Sequence, residues 1–263
     1  MEEYINNYES YTKTVVYYFK LGDGGIGDYC KFFMYVLCLC IKHKFRIYYV
    51  VNGIPIETHM RLKYSQMYIN RCEIPQAKRI KAEHEMFDTD CIIVTSDIFY
   101  NTYTYDAITL RISDVFEFSE NIILNSRRLF SQRPSDYIAL HLRLGDKYLE
   151  TDMSYVVCKE DERTFDADKL LRFIEDNHQR NIVFFCDNNQ FKQIIKFKYN
   201  QIIIIDCNIG HTSLYNTTDD QIIDTISEFY IMCNSSHIYS ATPYFSGFAT
   251  MAAKYKNTPI SDI

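Results

Sequence analysis

Continuous apolar runs recur along the chain, each too long to alternate cleanly and too short to cross a membrane. They fall at 14–20 (TVVYYFK), 46–51 (RIYYVV), 90–96 (DCIIVTS), 136–142 (DYIALHL), 181–186 (NIVFFC), 201–206 (QIIIID) and 237–241 (HIYSA). Runs of this length, rich in Ile, Val, Tyr and Phe, predict strands buried on both faces. Between them, apolar residues recur at helical spacing and predict helices over 27–43, 56–68, 115–130, 166–178, 188–197, 219–233 and 244–255. Strand and helix in alternation predict an α/β fold whose parallel sheets are covered by helices. The polar stretch Ser131 to Ser135, with Pro134 inside it, precedes a restart of the pattern. It divides the chain into two Rossmann-like domains, 1–133 and 134–263, with a cleft between them. In sheets of this kind ligands lie beyond the carboxyl ends of the strands.

Composition narrows the function classes. A net charge of −6 over 263 residues argues against a nucleic-acid-coating role, while leaving room for a local basic pocket. The longest apolar helix, FFMYVLCLCI at 32–41, is too short to span a bilayer and is followed by Lys42, His43 and Lys44. The acidic start, MEEYINNYES, is no signal peptide. Nine cysteines without a C-x-x-C pair favour reduced, buried thiols over disulfides or zinc. These features lead us to expect a cytoplasmic protein, bacterial or viral, without a membrane span. They leave the oligomeric state open.

Three segments carry chemistry. In LGDGGIGDYCKFF, Gly22, Gly24 and Gly27 fit G-x-G-x-x-G between a strand and a helix, the dinucleotide fingerprint. That reading also needs an acidic residue at the end of the second strand, and Asn52-Gly53 stand there instead. What remains is a loop in which Gly24, Gly25 and Gly27 admit close approach of a ligand. A helix start supplies N–H donors, and Asp23 and Asp28 supply carboxylates. A plain turn with Asp28 as helix cap is the alternative.

The second segment, YIALHLRLGDKYLE, places His141, Arg143, Gly145 and Asp146 at a strand exit. Arginine there can grip a diphosphate with two N–H groups and offset charge on a leaving group. A surface Arg143–Asp146 pair is the alternative. The third segment, late in the chain, puts Ser240, Thr242 and Ser246 around another helix start. Ordinary Ser/Thr capping would explain it equally.

Asp88-Thr89-Asp90 spells a metal-binding D-x-D, but it precedes a strand at the amino end and reads better as an acidic turn. His43, His59, His84, His178 and His211 show no metal spacing and are expected to be solvated or structural.

Taken together, these segments resemble a known family. GGIGDYCKFF resembles the GGxGNxxFQ loop of α1,2-fucosyltransferases. HLRLGD resembles the HxRxGD motif shared by α1,2-, α1,6- and protein O-fucosyltransferases. IVFFCDNN resembles their FSDD strand end, and DTISEFYIMCNSSHIYSATPYFSGFATMAA is similar to their late segment. All four occur in family order, and the α1,2 branch looks nearest.

The resemblance implies a glycosyltransferase-B fold, GDP-fucose as donor, a glycan acceptor, inversion at the anomeric carbon, and no cofactor or required metal. Carried over, Arg143 would hold the β-phosphate and His141 would place the nucleotide. Asp187, with Asn188 beside it, would read guanine or ribose, and Thr242, Phe245 and Ser246 would line the diphosphate and fucose. The Gly24–Gly27 loop would face the acceptor, with Asp28 or Asp23 as base and Asp146 behind them. Asp28 stands where the family has Asn, and Ser246-Gly247-Phe248 where it has SWW. These departures bear on the acceptor and linkage more than on the donor. Transfer of another nucleotide-activated sugar, or a catalytically inactive nucleotide- or glycan-binding protein, are the competing expectations.

Overall fold

A computed structural model describes residues 1–74, 77–81, 83–95, 110–149, 160–242 and 246–263. In the first half the strands are β1 (Thr14–Tyr18), β2 (Arg46–Val50), β3 (Met60–Leu62), β4 (Tyr68–Ile69), β5 (Lys78–Arg79), β6 (Cys91–Thr95) and β7 (Phe116–Phe118). The helices are α1 (Glu2–Asn6), α2 (Ile26–His43), α3 (Pro55–His59) and α4 (Glu120–Leu129). Five strands form a parallel sheet in the order β4-β2-β1-β6-β5, and β3 pairs antiparallel with β7 beside it.

The second half contributes β8 (Ile138–Leu142), β9 (Ile182–Cys186), β10 (Ile203–Ile204), β11 (His237–Ser240) and β12 (Ile260–Asp262). With them come α5 (Ala167–Asp176), α6 (Asn189–Lys198), α7 (Asp219–Met232) and α8 (Gly247–Lys256). Its sheet is also parallel, in the order β10-β9-β8-β11-β12.

In each sheet the first strand of its half sits in the middle, and later strands add on both sides of it. The chain reverses its direction of winding there, and the loops leaving β1 and β8 therefore open a crevice at the carboxyl ends. This is the two-sheet α/β architecture of the glycosyltransferase-B type.

All seven expected strands are present. The helix expected over 56–68 is instead the single turn of α3 followed by β3 and a one-turn 3-10 helix at Ser65–Met67. Glu57 caps the start of α3, its carboxylate accepting from the N–H groups of Asn52 and Ile54 and from the Tyr49 hydroxyl. The helix stops where Met60 turns extended to pair with Phe118 of β7. The helix expected over 115–130 begins with β7, because Phe116 and Phe118 alternate inward before Ser119 starts α4. The last helix begins at Gly247, and residues 243–245 lie outside the described ones.

The core is held largely by aromatic rings. Tyr17, Tyr29, Phe33, Tyr49 and Phe116 are fully buried and meet edge-to-face or tilted, at centroid distances of 5.4–6.1 Å. Each such pair adds about 1 kcal/mol beyond its burial. This core continues into the second half through Tyr137, Ala139, Val183 and Phe185, with α2 packed on α8 and α4 on α7. A second apolar cluster covers the other face of the second sheet. Seven free cysteines are seen among the described residues, and burial pushes their thiol pKa values up. Among those residues no helix is long and apolar enough to cross a membrane.

Candidate active site

The glycine loop after β1 ends in α2, whose N-cap is Gly25. Glycine has no side chain to accept from the helix's first N–H groups. That acceptor comes from the other half of the chain: the Ile26 N–H donates to Thr212 Oγ1 at 3.0 Å. The cap reading of Asp28 is thereby corrected. Asp28 is the third helical residue, folds back against Gly24, and pairs with Lys31 at 3.3 Å.

One residue earlier, Gly27 meets Gly247 at the start of α8. A Cβ on Gly27 would lie 2.5 Å from the Gly247 carbonyl carbon, so only glycine allows this approach. The two helix starts therefore meet at one point. Ser246 caps α8, its hydroxyl accepting from the Ala249 N–H at 3.1 Å. The remaining first-turn N–H groups of both helices have no intrahelical acceptor, and the partial positive charge of two dipoles concentrates there.

Across from them, β8 ends in His141 and Leu142, and Arg143 follows directly. His141 pairs in register with Phe185 and Ser240, so β8, β9 and β11 end level with one another. The His141 ring is buried and stacks on Phe248 at 6.0 Å, and its Nδ1 has no hydrogen-bond partner among the described residues. Burial, reinforced by the Arg143 charge, lowers its pKa to about 3, so the ring is neutral.

The Arg143 guanidinium donates to Asp146 and lies 3.4 Å from Asp187. Asp187 also accepts from the N–H groups of Leu144 at 2.8 Å and Gly145 at 3.0 Å. Its oxygens thus pin the Arg-Leu-Gly-Asp turn, and Arg143 is aimed as a consequence. Gly145 has φ +107°, and a Cβ there would collide with the Asp161 carbonyl. The Arg143–Asp146 pair suspected from sequence exists, yet Arg143 is also a wall of the cleft.

These elements enclose a cleft of about 320 Å³. Among the expected residues, Gly25, Gly27, Asp28, His141, Arg143, Asp187 and Ser246 line it. Gly24, Gly145 and Asp146 belong to the loops that shape it. Four others are elsewhere. The Asp23 carboxylate accepts from the Lys20 N–H at 3.0 Å within the turn that precedes the cleft-lining glycines. Asn188 caps α6 by accepting from Phe191 N–H, and donates to the Tyr148 carbonyl. Ser240 and Thr242 are buried and bonded to each other beneath the site. Phe245 lies outside the described residues. Asn52, which replaces the acid of a dinucleotide site, donates to the Phe19 carbonyl and ties β2 to the end of β1. Asp88-Thr89-Asp90 sits at the amino end of β6, where the Asp90 carbonyl accepts from Thr14 N–H, opposite the cleft.

Of the charged and imidazole side chains in the lining, Lys31, Arg163 and Glu228 were not expected there, and His211 was expected to be solvated or structural. Lys31 was in plain view three residues after Asp28. Glu228 is buried in α7 and bonded to Lys192 Nζ at 2.6 Å. Burial, the largest single influence, lowers the Lys192 pKa, but the Glu228 charge and hydrogen bond together with Cys207 and Cys186 outweigh it and the net direction is up. His211 sits in the loop between β10 and α7, beside Gly25. Its pKa is lowered, first by burial and then by Arg143, with Asp146 and Asp28 opposing.

No protein-family model matches the sequence, and no curated protein matches it either. Solved structures do match in shape. The fucosyltransferase NodZ from Bradyrhizobium has a TM-score of 0.59 at 10% identity, covering 91% of this chain and 92% of that one. NodZ α-1,6-fucosyltransferase soaked with GDP-fucose gives 0.58 at 9% identity, with 92% of each chain covered. POFUT1 in complex with GDP gives 0.52 at 9% identity, covering 95% of this chain and 98% of that one. The chain thus has the fold of these proteins over nearly its whole length. Nothing in the comparison singles out the α1,2 branch.

Proposed function

We propose that the protein is a glycosyltransferase that moves fucose from GDP-fucose to a glycan hydroxyl, with inversion and without a required metal. One observation carries the reading. Arg143, held in place by two carboxylates, faces two helix starts that meet across a single cleft. A diphosphate needs that combination: a planar cation that binds two oxygens, and backbone N–H groups that take the others. The fold neighbours soaked with GDP-fucose or bound to GDP support the same choice of ligand.

On this reading residues 134–263 hold the donor and residues 1–133 present the acceptor. His141 is neutral, so it adds no charge and offers its ring and the unpartnered Nδ1 to the nucleotide. Asp187 was expected to read guanine or ribose, but its oxygens accept from the turn's own N–H groups. Glu228 also lines the cleft; one of its oxygens accepts from Lys192 Nζ, and on this reading the other accepts from the N–H donors of guanine.

Transfer then needs two things. The bond from the anomeric carbon to the β-phosphate oxygen breaks with its electron pair staying on that oxygen, where Arg143 stabilises it. The acceptor oxygen bonds to the carbon from the opposite face and gives its proton to Asp28, the carboxylate that α2 contributes to the cleft lining.

The test is a titration of donors against the purified protein. GDP and GDP-fucose should raise the melting temperature, UDP- and ADP-sugars should not, and Arg143→Ala should abolish both the shift and fucose transfer. Equal shifts from other nucleotide sugars would move the assignment to a different donor.

A further inference from the structure

The loop after β10 is fastened at both ends and touches the opposite half in the middle. Asn208 donates through its backbone N–H and its side chain to Asp224, at 2.9 and 3.0 Å. The Gly210 N–H donates to Thr225, and Thr217 donates back to the His211 carbonyl. Thr212 caps α2 from across the cleft. His211 is therefore fixed at the crossing point, and an ideal Cβ on Gly25 would lie 3.7 Å from its Nε2.

Its tautomer follows from its neighbours. Nδ1 receives the backbone N–H of Ser213 at 3.4 Å and lies 2.8 Å from the Ser213 hydroxyl. A backbone N–H can only donate, so Nδ1 keeps its lone pair and the ring proton resides on Nε2. Nε2 has no hydrogen-bond partner among the described residues, and His211 lines the cleft that Arg143 also lines.

We propose that His211 is a catalytic residue that donates a neutral Nε2–H bond to the diphosphate oxygen that gains charge as the sugar leaves. The assignment rests on the donor chemistry proposed above. Arg143 supplies the positive charge for that oxygen. His211 adds a directed donor on the side where Gly25 leaves room. The balance of the step is unchanged. The carbon–oxygen pair goes to the β-phosphate oxygen, the acceptor proton goes to Asp28, and His211 keeps its own proton throughout.

The groups facing His211 agree with this. Arg143 opposes protonation of the ring, while Asp146 from the turn after β8 and Asp28 from α2 favour it, and burial tips the result toward the neutral form.

The donor role separates from a base role by substitution. Gln can donate through its amide N–H but cannot take a proton. Under the proposal His211→Gln keeps kcat within about tenfold of wild type, whereas His211→Ala and His211→Phe lose about a hundredfold. The pH profile of kcat keeps its acidic limb in all three. If Gln is as impaired as Ala and the acidic limb disappears, His211 is a base and the proposal fails. It also fails if Ala matches wild type.

A second measurement does not depend on turnover. In protein with ¹⁵N-labelled histidine, His211 should show a protonated Nε2 and a bare Nδ1, and the Nε2–H resonance should move on titration with inorganic pyrophosphate. The opposite tautomer, or no response, overturns the donor role. Failure of GDP to bind, with pyrophosphate still moving that resonance, would instead overturn the choice of GDP as the nucleotide and leave His211 as a diphosphate donor.

Discussion

The loops after β1 and β8 hold equivalent places, each following the central strand of its sheet and opening on the same cleft, but they are made of different material. The first runs directly into an 18-residue helix and offers backbone: Gly25 without a side chain and Gly27 against Gly247. The second offers charge: Arg143, steered by Asp146 and by Asp187, which also ties down the turn's own N–H groups. Backbone donors tolerate several anions or hydroxyls, whereas an aimed guanidinium selects a planar pair of oxygens. Under the proposed function, the difference teaches that the charge selecting the donor sits in the second half, while the first half supplies room and shape.

Removing the charge should have the largest effect. Arg143→Ala is expected to lower fucose transfer by about a thousandfold, since it takes away the main counter-charge of the leaving group. The melting temperature without ligand should change little, and steady-state kinetics beside thermal unfolding will show whether the two separate.

Next comes the support beneath the second half. Lys192→Met strands Glu228 as a buried, uncompensated carboxylate and should cost about 3 kcal/mol in denaturant unfolding. Adding Glu228→Gln should recover much of that stability without recovering GDP affinity. No recovery in the double variant would mean that packing, not charge, holds α6 to α7.

The first half can be broken by shape alone. Gly27→Ala pushes α2 off α8 and is expected to cost about 2 kcal/mol, with weaker GDP binding although no charge is lost. Unaltered binding would mean that the meeting of the two helix starts is structural only.

The last effect is absent at neutral pH and appears only in acid. His141 is neutral when folded, with a pKa near 3 against an ordinary 6.5, so the unfolded chain binds a proton that the folded chain refuses. Stability should therefore fall as pH drops below 6.5, by about 2 kcal/mol at pH 5, and keep falling toward pH 3. His211 acts in the same direction, so urea unfolding of wild type against His141→Phe at both pH values isolates the His141 share.

The parts of this molecule that announce themselves in sequence are those with a local cause. Of the strands that read as continuous apolar runs, β8 and β9 are buried at every position, while β2, β6 and β11 alternate with half-buried residues and the edge strand β10 is half-buried. The Gly24–Gly27 loop and the HLRLGD segment carry their chemistry within a few residues. What was hidden depends on contacts far apart in the chain.

Thr212 caps Ile26 from 186 residues away, and nothing near Gly25 betrays the missing cap. Lys192 falls in a helix otherwise rich in Lys and Gln and reads as solvated. Only the fold brings Glu228 to it. His211 follows no period, because the loop that places it is shaped by bonds to α7. The short strands β3, β4, β5, β7 and β12 were missed for a different reason: two or three residues cannot establish a two-residue alternation. Asp187 was legible as a site residue, but its task was not, since only the register of β8 beside β9 shows that its carboxylate is taken by the turn.

The most direct measurement is a calorimetric titration of GDP into wild type and Arg143→Ala at matched salt. The account predicts saturable one-to-one binding to wild type and a loss of affinity of at least about tenfold in the variant, with both proteins folded. Equal affinity in the two would contradict it, because the diphosphate would then be held by something other than the arginine at the end of β8.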